Sequence, residues 1–172
     1  GFERGHGATT DAVRFRDEFD RVSAVAQQRG LTSDPLMRQD LARAHSTVEI
    51  MKWMGQRQVT SVLAGNTPGP ESSLHKLIWS EYHTWFTEKT MHILGAEAMT
   101  PSGHPAAHGI QTDAIGAEFS TLAWVQTMLG ARPGTIYAGT SEVQRNIVGD
   151  RVLGLPREPR ADSGPWNEIG KN

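Results

Sequence analysis

Cysteine is absent from the 172 residues, which excludes disulfide staples and thiolate chemistry within them. Aromatic side chains are sparse, at 7%. No apolar run approaches the roughly 20 residues that a membrane-crossing helix requires, and no secretory leader is visible. Neither sign of charge dominates: 17 Lys and Arg stand against 19 Asp and Glu, a formal net charge of −2. Such a balance gives no pull toward nucleic acid or an anionic membrane surface. No segment alternates apolar and polar residues as a half-buried strand would, and no repeat or heptad array recurs. A soluble protein with a cytoplasmic address is the expectation.

What is present is helical periodicity, so the expected fold is all-α, an up-and-down bundle of four to five helices. A first helix is predicted over about Thr9 to Arg29, with Val13, Phe15, Phe19, Val22, Ala24 and Val25 as its apolar side and Gly30 as its C-cap. Asp34-Pro35 is a helix start, with Asp34 as N-cap and Pro35 at the first helical position. The second helix then runs to about Leu63, along a stripe of Leu41, Ala44, Val48, Met51, Gly55, Val59 and Val62. Residues 64–70 are a loop by composition. A third helix covers about Glu71 to Leu94, with Leu74, Leu77, Ile78, Trp85 and Ile93 as its stripe and Tyr82 and Phe86 beside it. The Gly/Pro/Ala/His segment Gly95 to Gln111 is a long loop. Thr112 or Asp113 is the predicted cap of a fourth helix to about Leu129, apolar at Ile115, Phe119, Leu122, Val125 and Met128. The last helix is expected from Ser141 to about Leu153. Residues 1–160 read as one helical domain and 161–172 as a disordered polar tail.

The richest stretch is Gly134 to Ile147 (GTIYAGTSEVQRNI). A glycine hinge leads through Ile136 and Tyr137 to a turn at Gly139, and a helix starts at Thr140 and Ser141. Ser141, three residues before Gln144, has the form of a capping box. Backbone donors delivered with a helix start to one point suit an anionic or carbonyl ligand, although an ordinary loop-to-helix junction has the same composition. The pair His104 and His108 has the interval of two zinc ligands, but its Pro and Gly neighbours oppose the helix that would align the rings. No metal site is expected. Trp53, Trp79, Trp85 and Trp124 are expected in the core or at an interface.

Continued to Arg160, this stretch (GTIYAGTSEVQRNIVGDRVLGLPREPR) resembles the C-terminal signature of the acyl-CoA dehydrogenase family. Two further matches support it: Phe2-Glu3-Arg4-Gly5 resembles the Glu-Arg start of that family's first C-terminal helix, and Ser73 to Glu81 resembles its Ala/Ser-x-x-Lys-Leu-x-x-Ser-Glu helix. Together they span about residues 1 to 160. The resemblance implies a C-terminal helical domain cut from a longer chain, with a helical and a β domain before it. It also implies FAD as cofactor, an acyl-CoA thioester as substrate and an electron-accepting flavoprotein as partner. The implied assembly is a homo- or hetero-oligomer, a dimer of dimers, and the implied role is lipid metabolism by α,β-dehydrogenation to a trans-2-enoyl-CoA.

In much of the family the catalytic base follows the Tyr of the signature loop. Here that position is Ala138, which cannot take a proton. Isovaleryl-CoA and long-chain acyl-CoA dehydrogenases instead carry the base in the Glu-Arg pair, so the resemblance assigns it to Glu3. The backbone N–H of Ala138 keeps the family's donor role toward the substrate carbonyl. Arg4, Tyr137 and Gly139 match positions beside the acyl-CoA, and Thr140, Ser141 and Glu142 match flavin-contacting positions. The family's Arg-x-Gln-Phe-Gly run is missing, with only Gln28-Arg29-Gly30-Leu31 in its place. Pro35 stands where a flavin-contacting Gln belongs, and the Gln-x-x-Gly-Gly-x-Gly segment is reduced to Met91 to Gly95. These departures leave a second reading open: a non-catalytic partner subunit or assembly module. A free-standing bundle of unrelated function is the third.

Overall fold

The computed structural model describes residues 7–67, 69–70, 72–107 and 117–156. Among them there is no strand. Five α-helices follow one another: α1 (Gly7–Gln28), α2 (Pro35–Leu63), α3 (Ser72–Leu94), α4 (Thr121–Ala131) and α5 (Ser141–Ile147). Short 3₁₀ turns extend the ends of the first, third and fourth, and α5 widens into a π turn over Val148–Val152. None of these helices is long and apolar enough to cross a membrane.

Local chemistry sets the corners. Gly30 ends the first helical segment in the left-handed region at φ 70°, which a side chain would resist. Asp34 then accepts from the Leu36 N–H, and Pro35 occupies the first turn of α2, where no N–H is needed. The direction of each helix follows from contacts between distant residues. His75 at the start of α3 meets Asp11 near the start of α1 at 3.1 Å. Arg29, just past the end of α1, donates to the Ile93 and Leu94 carbonyls at the end of α3. Helices α1 and α3 therefore run the same way, and α2 returns between them. The bundle is up-and-down.

The core gathers Phe15, Val22 and Ala26 of α1, Ala44, Val48 and Met51 of α2, Tyr82, Phe86, Ile93 and Leu94 of α3, and Trp124 of α4. Phe15 touches Tyr82 edge-on at 5.5 Å, and Tyr82 stacks on Phe86 at 5.2 Å. This face is not the one apolar periodicity alone predicts. On α1, Val13 is exposed and Glu18 is buried. On α2 the predicted stripe holds through Gly55, but Val59 and Val62 are exposed. On α3, Ser80, His83, Thr87 and Thr90 are buried beside the aromatics, while Leu74, Leu77, Ile78 and Trp85 are only partly so. The threonines reach this environment because their hydroxyls bond back to carbonyls one turn earlier, Thr87 to His83 and Thr90 to Phe86. Trp53 is exposed rather than in the core.

The fourth helix differs most from its predicted form. It begins at Thr121 and residues 117–120 are not helical, so it does not run unbroken from the predicted caps Thr112 or Asp113, which lie outside the described residues. Ser120 is the cap: its Oγ accepts from the Ala123 N–H and donates to the His104 carbonyl at 2.6 Å. Phe119 stacks on Trp124 from outside the helix, at 5.6 Å, and the buried face is Ala123, Trp124, Thr127 and Ala131. Ile115 and the tail 161–172 lie outside the described residues.

Candidate functional site

The stretch from Arg132 to Gln144 is a turn held between α3 and α5. Gly134 is buried against Trp79; a Cβ there would stand 3.2 Å from the indole ring. The Ile136 and Tyr137 N–H groups both donate to the Pro133 carbonyl. The chain then enters the left-handed region twice in succession, at Ala138 (φ 52°) and Gly139 (φ 95°). Ala138 is the one non-glycine residue with positive φ among the described residues, and such a conformation costs an L-residue about 1–2 kcal/mol.

Three hydrogen bonds hold it there. Lys76 Nζ of α3 donates to the Gly134 and Gly139 carbonyls at 2.8 and 2.9 Å. Gln144 Nε2 of α5, nearly buried, donates to the Ala138 carbonyl at 2.8 Å. Burial moves the Lys76 ammonium below the ordinary lysine value, with Glu81 acting in the opposite sense. The N–H groups of Ala138, Gly139 and Thr140 meet no acceptor among the described residues.

The helix start is built differently from the predicted capping box. Thr140 is the N-cap and its Oγ1 accepts from the Val143 N–H; Ser141 is the first helical residue and is buried. Gln144 does not reach back along its own helix, because the strained Ala138 carbonyl takes its amide. Glu142 is exposed, and its carboxylate lies below the usual range, first through its own backbone N–H and then through the Thr140 hydroxyl.

Tyr137 is half-exposed. Its ring lies 6.3 Å from Trp79 and 5.9 Å from Lys76 Nζ. Burial raises its phenol above the ordinary value; Arg14 lowers it and Asp11 raises it. Both charges belong to α1, whose front half lies within electrostatic reach of the Tyr137 phenol. Glu3 and Arg4, the sequence candidates ahead of that helix, lie outside the described residues.

Residues 1–153 match the family model of the acyl-CoA dehydrogenase C-terminal domain. The chain belongs to the acyl-CoA dehydrogenase family. Over 166 residues it is 31% identical to the acyl-CoA dehydrogenase IpdE1 of Mycobacterium tuberculosis, a match covering 92% of this chain and 37% of that protein. IpdE1 of Mycolicibacterium smegmatis is 29% identical over 157 residues, covering 91% and 35%. Among solved structures, the Tcur3481-Tcur3483 steroid ACAD superposes with a TM-score of 0.66 at 25% identity, over 88% of this chain and 37% of the other. The ChsE4-ChsE5 complex of Mycobacterium tuberculosis gives 0.63 at 25% identity, over 86% and 36%. The chain thus spans a little over a third of the length of these relatives, and it is the C-terminal domain of an acyl-CoA dehydrogenase family member.

In this domain the turn offers three N–H groups that meet no acceptor among the described residues, with Thr140 and Glu142 beside them, a donor set that suits an anionic or carbonyl ligand. At the far end of the bundle Arg29 is not available in the same way. It donates to the Ile93 and Leu94 carbonyls and pairs with Glu97 at 2.5 Å, closing the C-terminus of α3. Pro35 does what its position requires for helix initiation and offers no side-chain donor. Among the described residues no group of acidic and histidine side chains is arranged for a metal. His104 Nε2 faces the Glu118 carbonyl at 3.0 Å and Nδ1 the Pro105 carbonyl at 3.1 Å. Its sequence partner His108 lies outside the described residues.

Lys76 is visible in sequence only as part of a motif; its partner carbonyls lie 58 and 63 positions away. A Gly139→Ala replacement tests how tightly the turn is specified. The added Cβ would stand 2.6 Å from Gln144 Nε2 at a backbone angle that side chains rarely adopt. The expected loss is about 1–3 kcal/mol, read as a lower unfolding midpoint, whereas an unchanged midpoint would show the turn to be pliable.

Proposed function

We propose that the protein to which this domain belongs dehydrogenates an acyl-CoA thioester between its α and β carbons, giving the trans-2-enoyl-CoA. The observation that supports the reading is the turn itself: Ala138 is left-handed, its N–H meets no acceptor among the described residues, and its neighbour Tyr137 feels the charges of Arg14 and Asp11 on α1. In this reading Glu3 is the general base and removes the α-proton. Negative charge then grows on the thioester oxygen, where the Ala138 N–H donates. That role needs no side chain, so alanine suffices. Arg4, Tyr137 and Gly139 line the acyl-CoA, and Thr140, Ser141 and Glu142 would contact the flavin. When bound, FAD supplies the acceptor for the hydride that leaves the β-carbon. An electron-accepting flavoprotein is the partner that restores it.

Two of the similar structures carry names that join two proteins, Tcur3481-Tcur3483 and ChsE4-ChsE5. On that likeness we assign this chain to an oligomer, with a second polypeptide type as the first composition to test. Because the Tcur3481-Tcur3483 relative is a steroid ACAD, steroid-derived acyl-CoA thioesters belong in the substrate panel beside straight and branched ones.

The test is anaerobic mixing of the full-length flavoprotein with that panel. The reading expects bleaching of the flavin absorbance with formation of enoyl-CoA. A second reading, a partner subunit that keeps the fold without the chemistry, is favoured by Ala138 at the loop-base position and by the commitment of Arg29 to α3. It expects a bound flavin that no thioester bleaches unless another subunit is added.

A further inference from the structure

We infer that Lys76 is a positioning residue, which with Gln144 clamps the carbonyls of the 134–139 turn so that its N–H groups face the substrate. The inference rests on the proposed function and names a residue which that reading does not contain.

The argument begins with the donors. An ammonium has three N–H bonds and no acceptor. Lys76 gives two of them to main-chain carbonyls at the two ends of the turn, Gly134 and Gly139. The same ammonium lies 5.9 Å from the Tyr137 ring centroid, within cation–π range. One side chain of α3 therefore touches the turn at its beginning, middle and end. Gln144 completes the hold from α5 through the Ala138 carbonyl.

Peptide planarity converts this into a direction. In a trans peptide the carbonyl of one residue and the N–H of the next point opposite ways. With the Ala138 carbonyl drawn to Gln144 and the Gly139 carbonyl drawn to Lys76, the Gly139 N–H points away from Gln144 and the Thr140 N–H away from Lys76. The Ala138 N–H, just before them, donates to nothing among the described residues. Loss of the clamp removes three of the bonds that offset the left-handed strain at Ala138, and relaxation to negative φ would swing these donors aside. Among the described residues Lys76 joins no ion pair, whereas Arg145 pairs with Glu81, and Arg132 with Glu88 at 2.5 Å. Two of its three donors go to backbone.

Lys76→Met keeps the length and removes the donors; Lys76→Arg keeps a donor, and Gln144→Met removes the second hold independently. In the full-length protein Lys76→Met is expected to lower kcat by about 10- to 100-fold, because a donor aimed at the transition-state oxygen is displaced. KM should change little, Lys76→Arg should recover part of kcat, and amide exchange across 134–144 should accelerate in both Met variants. Where Lys76→Met fails to fold, Gln144→Met carries the same comparison. Wild-type kcat together with wild-type exchange in the Met variants would overturn the inference. If the wild-type protein is bleached by no thioester, it is the proposed function that falls, and exchange across 134–144 alone then decides the clamp: faster supports it, unchanged overturns it.

Discussion

Glu3→Gln in the full-length protein is expected to slow flavin reduction by an acyl-CoA by about 100- to 10,000-fold, the usual contribution of a positioned general base. The amide is isosteric with the carboxylate and keeps its hydrogen-bonding reach but takes no proton, so thioester binding should survive while proton removal fails. The expectation is what the family resemblance implies. The loop position that holds the base in much of the family is Ala138, and other members carry it in the Glu-Arg pair that Glu3 and Arg4 resemble. Stopped-flow absorbance under anaerobic conditions measures it. A variant that reduces its flavin at the wild-type rate would move the base elsewhere, or hand the chemistry to another subunit.

Glu18→Leu should cost about 1–3 kcal/mol of stability, the range for leaving a buried polar group without its partner. Glu18 and His83 are both essentially inaccessible, and Oε2 lies 3.2 Å from Nε2 across the α1–α3 contact. Phe15 packs edge-on against the imidazole at 5.1 Å. Tyr82 is beside them: burial raises its phenol well above the ordinary value, and the charge of Glu18 adds to the shift. Loss of Glu18 alone leaves His83 in an apolar surround without that partner. Replacing both by leucine removes the orphaned group and should recover most of the loss. Urea unfolding of the two variants checks this; a single variant within about 0.5 kcal/mol of wild type, the range of ordinary surface changes, would show that the contact contributes nothing.

Pro35 with Asp34, and glycines at the ends of the first three helical segments, announce the corners of this bundle. Their conformational limits act locally and are readable without the fold. The same holds for the turn at Gly139. The core faces are harder, because Glu18, His83, Thr87 and Thr90 are polar by composition and become core residues only through partners on other helices or one turn back. The start of α4 departs from its predicted place for a related reason. Phe119 and Trp124 look like successive turns of one helix, yet Ser120 is drawn to the 102–104 backbone and caps the helix only there. In the candidate site, sequence points to residues 137–142 but pairs Ser141 and Gln144 as a capping box. Gln144 is instead taken by the Ala138 carbonyl, in a turn whose carbonyls at Gly134 and Gly139 bond a lysine on another helix. A strained turn is legible where glycine marks it, and not where an alanine is held by distant side chains.

A structure of the intact assembly with FAD and a non-reactive acyl-CoA thioester measures the decisive quantity, the separation of the thioester oxygen from the Ala138 nitrogen and of the α-carbon from the Glu3 carboxylate. Hydrogen-bond reach to the first, roughly 2.7–3.2 Å, and near-attack contact to the second, about 3–3.5 Å, are the predicted result. A thioester bound away from this turn, with Glu3 on the opposite side of the bundle, would contradict it.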